Sequence, residues 1–162
     1  MNILVTGANG FIGKNLVAEL QNRGYTNIFE YTKESNPSLL DKYTKECDFV
    51  FHLAGVNRPK EEKEFLKGNF GFTSKLLELL KMHENKAPVL ITSSTQADLD
   101  NFYGRSKKAA EDLLFDYHKE TGAKVYVYRL PNVFGKWSKP NYNTVVATFC
   151  HNIARNLDIQ ID

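Results

Sequence analysis

Ile3-Leu4-Val5-Thr6-Gly7-Ala8-Asn9-Gly10-Phe11-Ile12-Gly13 is the stretch that decides the fold. Ile3–Val5 is a short apolar run of the kind that forms a buried strand, and a helix is predicted over Asn15–Arg23. Gly24 ends that helix in the manner of a C-terminal cap. Between strand and helix, glycines at 7, 10 and 13 allow a tight turn, let backbone approach a pyrophosphate and permit close helix–strand packing. The helix N-terminus adds N–H donors and positive potential. A phosphate loop of the Gly-Lys-Ser/Thr kind is excluded, because Asn15 follows Gly13-Lys14. Strand, glycine turn and helix in that order predict dinucleotide binding rather than an ordinary turn.

Working outward, short apolar runs alternate with helix-period segments, the pattern of a parallel sheet wound with helices. Strands are predicted at Asn27–Tyr31, Phe49–Leu53, Val89–Ile91 and Val125–Tyr128, with Phe49–Leu53 apolar enough to be buried on both faces. Helices are predicted at Leu39–Lys45, across Glu61–Glu84 with a break near Gly68, at Tyr103–Glu120 closed by Gly122, and at Asn143–Asn156. A last strand-like piece is Asp158–Ile161. The fold class is α/β, a Rossmann-like doubly wound parallel sheet with flanking helices. Residues 1–135 read as the dinucleotide-binding domain and 136–162 as the start of a substrate-binding lobe.

The chain has 162 residues, 42% hydrophobic and 25% charged, which suits one globular domain and excludes disorder or a fibrous repeat. Lys+Arg 21 against Asp+Glu 19 leaves +2, so no overall field draws it to nucleic acid or a membrane surface. Cys47 and Cys150 have no metal-type spacing and suit a reducing compartment. With no leader-like N-terminus and no long apolar span, a cytoplasmic protein without metal is expected. The abrupt end at Asp162 reads as that of a piece of something longer.

The ribose partner of a dinucleotide loop is an acidic residue about 20 positions on. Here that count lands on Thr32 and Lys33, after Glu30 within the strand; a hydroxyl and a cation there favour a 2′-phosphate, hence NADP(H) over NAD(H). Tyr103 and Lys107 are four apart and share a helix face. An ammonium one turn from a phenol would favour the phenolate and bring its pKa toward the working range. Ser94 closes the fourth strand, at the sheet end where such folds place ligands, and could hold the oxygen that Tyr103 protonates.

Six motifs in order now extend this reading: TGANGFIG at Thr6–Gly13, DFVFHLAG at Asp48–Gly55, GNFGFTSKLLE at Gly68–Glu78, ITSS at Ile91–Ser94, YGRSKKAAE at Tyr103–Glu111 and RLPNVFG at Arg129–Gly135. Together the sequence resembles the extended short-chain dehydrogenase/reductase family of nucleotide-sugar epimerases, dehydratases and reductases. The resemblance implies Tyr103 as acid/base, Lys107 as its tuner and nicotinamide-ribose ligand, and Ser94, less readily Thr95, on the reacting oxygen. It implies that Asn69 supports the lysine and an active-site water. Gly7, Asn9, Gly10, Phe11, Ile12 and Gly13 would line the pyrophosphate, Leu53, Ala54 and Gly55 would flank the cofactor, and Asn132 would meet the substrate's diphosphate. AGVNRP at Ala54–Pro59 and GKWSKPNYNTVVATFCHNIARN at Gly135–Asn156 look most like the reductase domain of bacterial capsule and O-antigen enzymes making UDP-N-acetyl-L-fucosamine precursors. That likeness implies NADPH-dependent reduction of the 4-keto group of a UDP-2-acetamido-2,6-dideoxy-hexos-4-ulose, a homodimeric full-length protein and a C-terminal cupin that this chain lacks.

Two departures accompany the resemblance. The segment between Tyr31 and Asp48 is short, so the sheet is expected to be a strand narrower there and adenine contacts cannot be placed. Most of the substrate lobe is missing, making this a truncated member of the family. Elsewhere, His52 in its apolar strand reads as a core histidine, and His83, His118 and His151 are scattered. Asp98 and Asp100 flank a loop too near the surface to claim as paired acids. Lys136, Lys139 and Arg155 suit a solvated face. In the loop Trp137–Tyr142 an aromatic and lysines could instead stack a uracil and meet a diphosphate, which makes Lys136, Trp137 and Tyr142 substrate candidates. Asn57 and Arg58 could reach cofactor or sugar. Alternatives are an epimerase or dehydratase holding NAD tightly, a cofactor-sensing scaffold, and a cofactor-binding fragment without activity; the tyrosine and lysine argue against the scaffold, and Ser94-Thr95-Gln96 lacks a dehydratase's acidic pair.

Overall fold

The computed structural model describes residues 1–57, 61 and 65–161. Five parallel strands form one sheet in the order β2-β1-β3-β4-β5: β1 (Ile3–Thr6), β2 (Ile28–Tyr31), β3 (Phe49–His52), β4 (Val89–Ser94) and β5 (Val125–Leu130). Ile3 lies opposite Ile28 on one side and Phe49 on the other, Val50 opposite Val89, and Val89 opposite Val125. The order reverses between β1 and β3, the point at which open α/β sheets receive ligands beyond the strands' carboxyl ends. Among the described residues no strand lies outside β2, in keeping with the narrow edge expected there.

Among the described residues four α-helices connect the strands, α1 (Phe11–Asn22), α2 (Pro37–Glu46), α3 (Phe72–Met82) and α4 (Phe102–Thr121), and a fifth, α5 (Val145–Ile153), follows β5. Alternation along β1 sends Leu4 to one face and Ile3 and Val5 to the other. Leu4 joins Leu40, Val50, Leu76, Leu80, Val89, Ile91 and Leu114 under α2, α3 and α4, while Ile3 and Val5 pack with Ala8, Val17 and Leu20 under α1. The larger core accordingly seats the helix that carries Tyr103 and Lys107. Asn101 caps α4 by accepting from the Gly104 amide at 2.7 Å. Gly122 stops α4 at a φ of +75°, a left-handed turn that glycine adopts without strain.

Several sequence expectations are corrected. α1 starts at Phe11 rather than Asn15, because Gly10 already serves as its N-cap. Of β3, only Val50 and His52 are buried; Phe49 and Phe51 sit half-covered and pack on each other, with Phe49 also against Tyr126. The segment before α3 is a π-helical turn over Leu66–Gly71, so the break expected near Gly68 is a widening of the helix. A Cβ on Gly68 would come within 2.3 Å of Val56 Cγ2. Asp158–Ile161 pairs with no strand, and the last helix is confined to Val145–Ile153, with none of its residues buried.

Candidate active site

The glycine turn is built by close backbone contact. Gly7 has a φ of +71°, and a Cβ there would lie 2.7 Å from the Ala54 amide nitrogen. A Cβ on Gly13 would lie 2.2 Å from the Gly7 carbonyl oxygen. The Gly7 amide donates to the Tyr31 carbonyl at 2.8 Å, which ties the turn to the end of β2. Gly10 offers no side chain to cap α1, so the helix's positive end faces the turn. Ala8 and Asn9 complete the turn, and Phe11 and Ile12 open α1, with Ile12 lining the cavity described below.

At the end of β2, Thr32 is half-buried and Lys33 exposed. Next to them stands Glu34, which the count from the glycines passed over. Its amide donates to Thr32 Oγ1 at 3.3 Å. Hydrogen bonds to its carboxylate, from Thr32 first and also from Asn9, hold it below the usual glutamate range. A carboxylate thus stands at the mouth of the glycine turn, one residue beyond Lys33, where the count of about 20 stopped.

The catalytic candidates gather at the carboxyl end of β4. Ser94 ends the strand, its Oγ accepting from the Gln96 amide at 3.1 Å and hydrogen-bonding the Tyr103 phenol. A Phe65 ring lies 5.7 Å from the Tyr103 ring, centroid to centroid. Lys107 is buried; its Nζ donates to the Thr92 carbonyl at 3.1 Å and stands 5.8 Å from the Tyr103 ring centroid. Burial pushes the Lys107 ammonium down to about 8, against a raising influence from Glu111. Burial also raises the Tyr103 phenol, only partly offset by the Ser94 hydrogen bond. The spacing predicts that Lys107 lowers that pKa; here its Nζ stands 5.8 Å from the ring and donates to the Thr92 carbonyl, and burial is the larger influence on the phenol.

Asn69, in the π turn, is buried beside them. Its Oδ1 accepts from the Val56 amide at 2.8 Å, and its Nδ2 donates to Ser106 Oγ at 2.9 Å. A Cβ on Gly55 would lie 3.1 Å from Asn69 Oδ1 and 3.2 Å from Lys107 Nζ, so both side chains close on bare backbone. Under Lys107 lies a network that sequence reasoning missed. Glu111, fully buried, accepts from Ser93 Oγ, and Arg129 grips both its carboxylate oxygens, at 2.9 and 2.7 Å. Asp98, set aside as a surface acid, takes the remaining arm of Arg129 at 2.6 Å. His52, as expected, is a core residue with both ring nitrogens occupied.

A cavity of about 1020 Å³ opens at this end of the sheet. Its wall includes Ile12, Leu53, Gly55, Asn57, Ser94, Thr95, Tyr103, Lys107, Asn132 and Tyr142. Lys136 and Trp137 stand outside that wall, the Lys136 ammonium 4.5 Å above the Trp137 ring. Arg58 lies outside the described residues. Thr144, the N-cap of α5, also lines the cavity; its buried Oγ1 is the single buried side-chain polar atom without a partner among the described residues. No described wall residue is an aspartate or glutamate. Among the described residues, no helix is long and apolar enough to cross a membrane, and no cluster of three metal-ligating side chains occurs. The donor set fits a nicotinamide dinucleotide, with bare glycine backbone under the pyrophosphate end and a buried lysine at the other.

The model of the NAD dependent epimerase/dehydratase family matches residues 3–161. The chain belongs to that family. It is 52% identical, over all 162 residues, to the UDP-2-acetamido-2,6-beta-L-arabino-hexul-4-ose reductase of Pseudomonas aeruginosa, of which it covers 44%. The crystal structure of the capsular polysaccharide assembling protein CapF from Staphylococcus aureus superposes on the whole chain with a TM-score of 0.87 at 49% identity. There too the match covers 44% of the longer chain, so this family member spans under half the length of these relatives. RMD from Pseudomonas aeruginosa, complexed with NADPH, matches 96% of the chain and 62% of its own, at a TM-score of 0.77 and 26% identity.

Proposed function

We propose that this chain is the cofactor-binding and catalytic portion of a nucleotide-sugar reductase. The substrate is a UDP-2-acetamido-2,6-dideoxy-hexos-4-ulose, reduced at its 4-keto group by NADPH on the way to a capsule or O-antigen precursor. The observation that carries this reading is identity across the whole chain with a reductase of that substrate class, 52%. The site chemistry agrees with it. Bound nicotinamide supplies the hydride. Ser94 and Tyr103, hydrogen-bonded to each other, present two hydroxyls to one carbonyl oxygen, and Tyr103 gives it a proton as charge develops. Lys107, buried beside the phenol, offsets the phenolate that remains and holds the nicotinamide ribose. Thr95, Asn132, Tyr142 and the unpartnered Thr144 hydroxyl give the sugar nucleotide polar contacts on the wall; Lys136 and Trp137 would have to swing inward to join them.

Lys33, exposed beyond β2, supports NADPH over NADH; the NADPH complex of RMD is a further point in favour. A dehydratase reading is disfavoured, since the described wall holds no carboxylate to take a carbon-bound proton. In the longer protein the catalytic unit is a homodimer joined to a cupin. The test is NADPH oxidation with the 4-keto sugar nucleotide. Tyr103→Phe lowers turnover by roughly a hundred- to ten-thousand-fold while NADPH affinity, read by fluorescence titration, stays within a few-fold. Unchanged turnover in that variant would remove the catalytic assignment.

A further inference from the structure

Behind the catalytic side chains runs a buried line of hydrogen bonds that takes no direct part in the reduction. Thr6, the last residue of β1, places Oγ1 2.7 Å from His52 Nδ1. His52 Nε2 lies 2.9 Å from Thr73 Oγ1 on α3, and that hydroxyl donates to the Asn69 carbonyl at 2.6 Å. Asn69 Nδ2 donates to Ser106 Oγ, which donates in turn to the Tyr103 carbonyl at 2.7 Å. Thr6, His52, Asn69, Thr73 and Ser106 are all buried.

The direction of every bond follows from proton counting. A hydroxyl has one proton, and Thr73 gives its own to Asn69, so Nε2 of His52 must be the donor to Thr73. A neutral imidazole then accepts at Nδ1, and Thr6 must donate there. Thr6 Oγ1 remains free to accept the Ala54 amide, 3.3 Å away. Each donor therefore points the same way, from the glycine turn's neighbour Ala54 to the residue that bears the phenol. At Asn69 the line passes from the backbone carbonyl, which accepts from Thr73, to the side-chain amide, which donates to Ser106, so the covalent frame of that residue joins the two halves.

We propose that His52 is a positioning residue of the active site, which with Thr73 and Ser106 holds Tyr103 at a set distance from the cofactor turn after β1. The proposal rests on the reading of Tyr103 as the proton donor. Hydride and proton must reach one carbonyl from two different elements, the cofactor turn after β1 and the first turn of α4. A displacement of about 1 Å between such elements can cost on the order of a hundredfold in rate. Apolar side chains could fill the same space between β3, α3 and α4 but would not fix their relative register.

The test deletes single hydroxyls. Thr73→Val keeps shape and breaks the line in its middle; Ser106→Ala breaks it at Tyr103 and is the milder change, so it decides the matter if Thr73→Val does not fold. Tyr103, whose charged neighbour is Lys107, is titrated by NMR on ring-labelled tyrosine in this chain. In each variant Tyr103 drifts from Ser94, and its ionisation moves upward by about half a unit or more. NADPH affinity stays within about threefold, turnover falls about tenfold or more, and Thr73→Ser restores both titration and rate. A Tyr103 titration identical to wild type in folded Ser106→Ala overturns the proposal, as does failure of Thr73→Ser to restore what Thr73→Val loses. Absence of turnover in the wild-type chain would count against the reductase reading alone, because the tyrosine titration tests the positioning role without substrate.

Discussion

Burying His52 makes the fold sensitive to acid in a way that can be isolated. Complete burial, with the Lys107 charge as a lesser cause, pushes its imidazole down to about 3 from an ordinary 6.5. Between those two pH values the unfolded chain binds a proton that the folded chain refuses. Stability therefore rises with pH across that window, is fully present above the unfolded pKa, and is lost as pH falls toward the folded one. From about pH 7 to about pH 5 the single site removes about 2 kcal/mol, at 1.36 kcal/mol per unit. Urea unfolding at the two pH values, for wild type and His52→Gln, measures it. Glutamine cannot titrate, while its amide can still donate to Thr73. His83 beside Asp41 and His118 on the Ala123 carbonyl are present in both proteins and cancel in the difference. Wild type should lose about 2 kcal/mol more than His52→Gln over this range. Parallel losses in the two proteins would refute the argument that burial keeps the ring neutral.

Three further outcomes are expected. Because Lys107 is held down to about 8 by burial, its charge fades as pH rises through that value; NADPH affinity should fall roughly tenfold between about pH 7 and about pH 9, and Lys107→Met should abolish that dependence. Gly13→Ala places a methyl group against the Gly7 carbonyl, which cannot yield without moving the turn; it should cost about 1–3 kcal/mol and most NADPH binding by fluorescence titration, with Gly10→Ala milder. Lys33→Glu should shift the NADPH-to-NADH affinity ratio toward NADH, and an unaltered ratio would remove the basis for the cofactor preference.

What could be read from sequence was local. Ile3–Gly13 contains its own turn, helix start and packing requirement, so the strand, glycine turn and helix were visible from eleven consecutive residues. Tyr103 and Lys107 announced a shared helix face through spacing alone. The environment of that pair was not legible, because it is set by what buries it: the Thr92 carbonyl, the Ser94 hydroxyl and Phe65 arrive from other elements. For the same reason Glu111 passed as one letter of a motif, although Ser93 and Arg129 from two neighbouring strands make it the anchor beneath Lys107. Asp158–Ile161 shows the opposite failure, a strand-like composition that finds no partner to pair with.

The π turn over Leu66–Gly71 carries a consequence for evolution and for protein engineering. Asn69 reaches Val56 and Ser106 from within that widened turn. Deleting one residue anywhere in that turn would let it relax to regular α-helix and swing the asparagine by about 100°, away from both partners. The stretch should therefore accept many changes of letter and almost no change of count, so a library that varies loop length must leave residues 66–71 untouched.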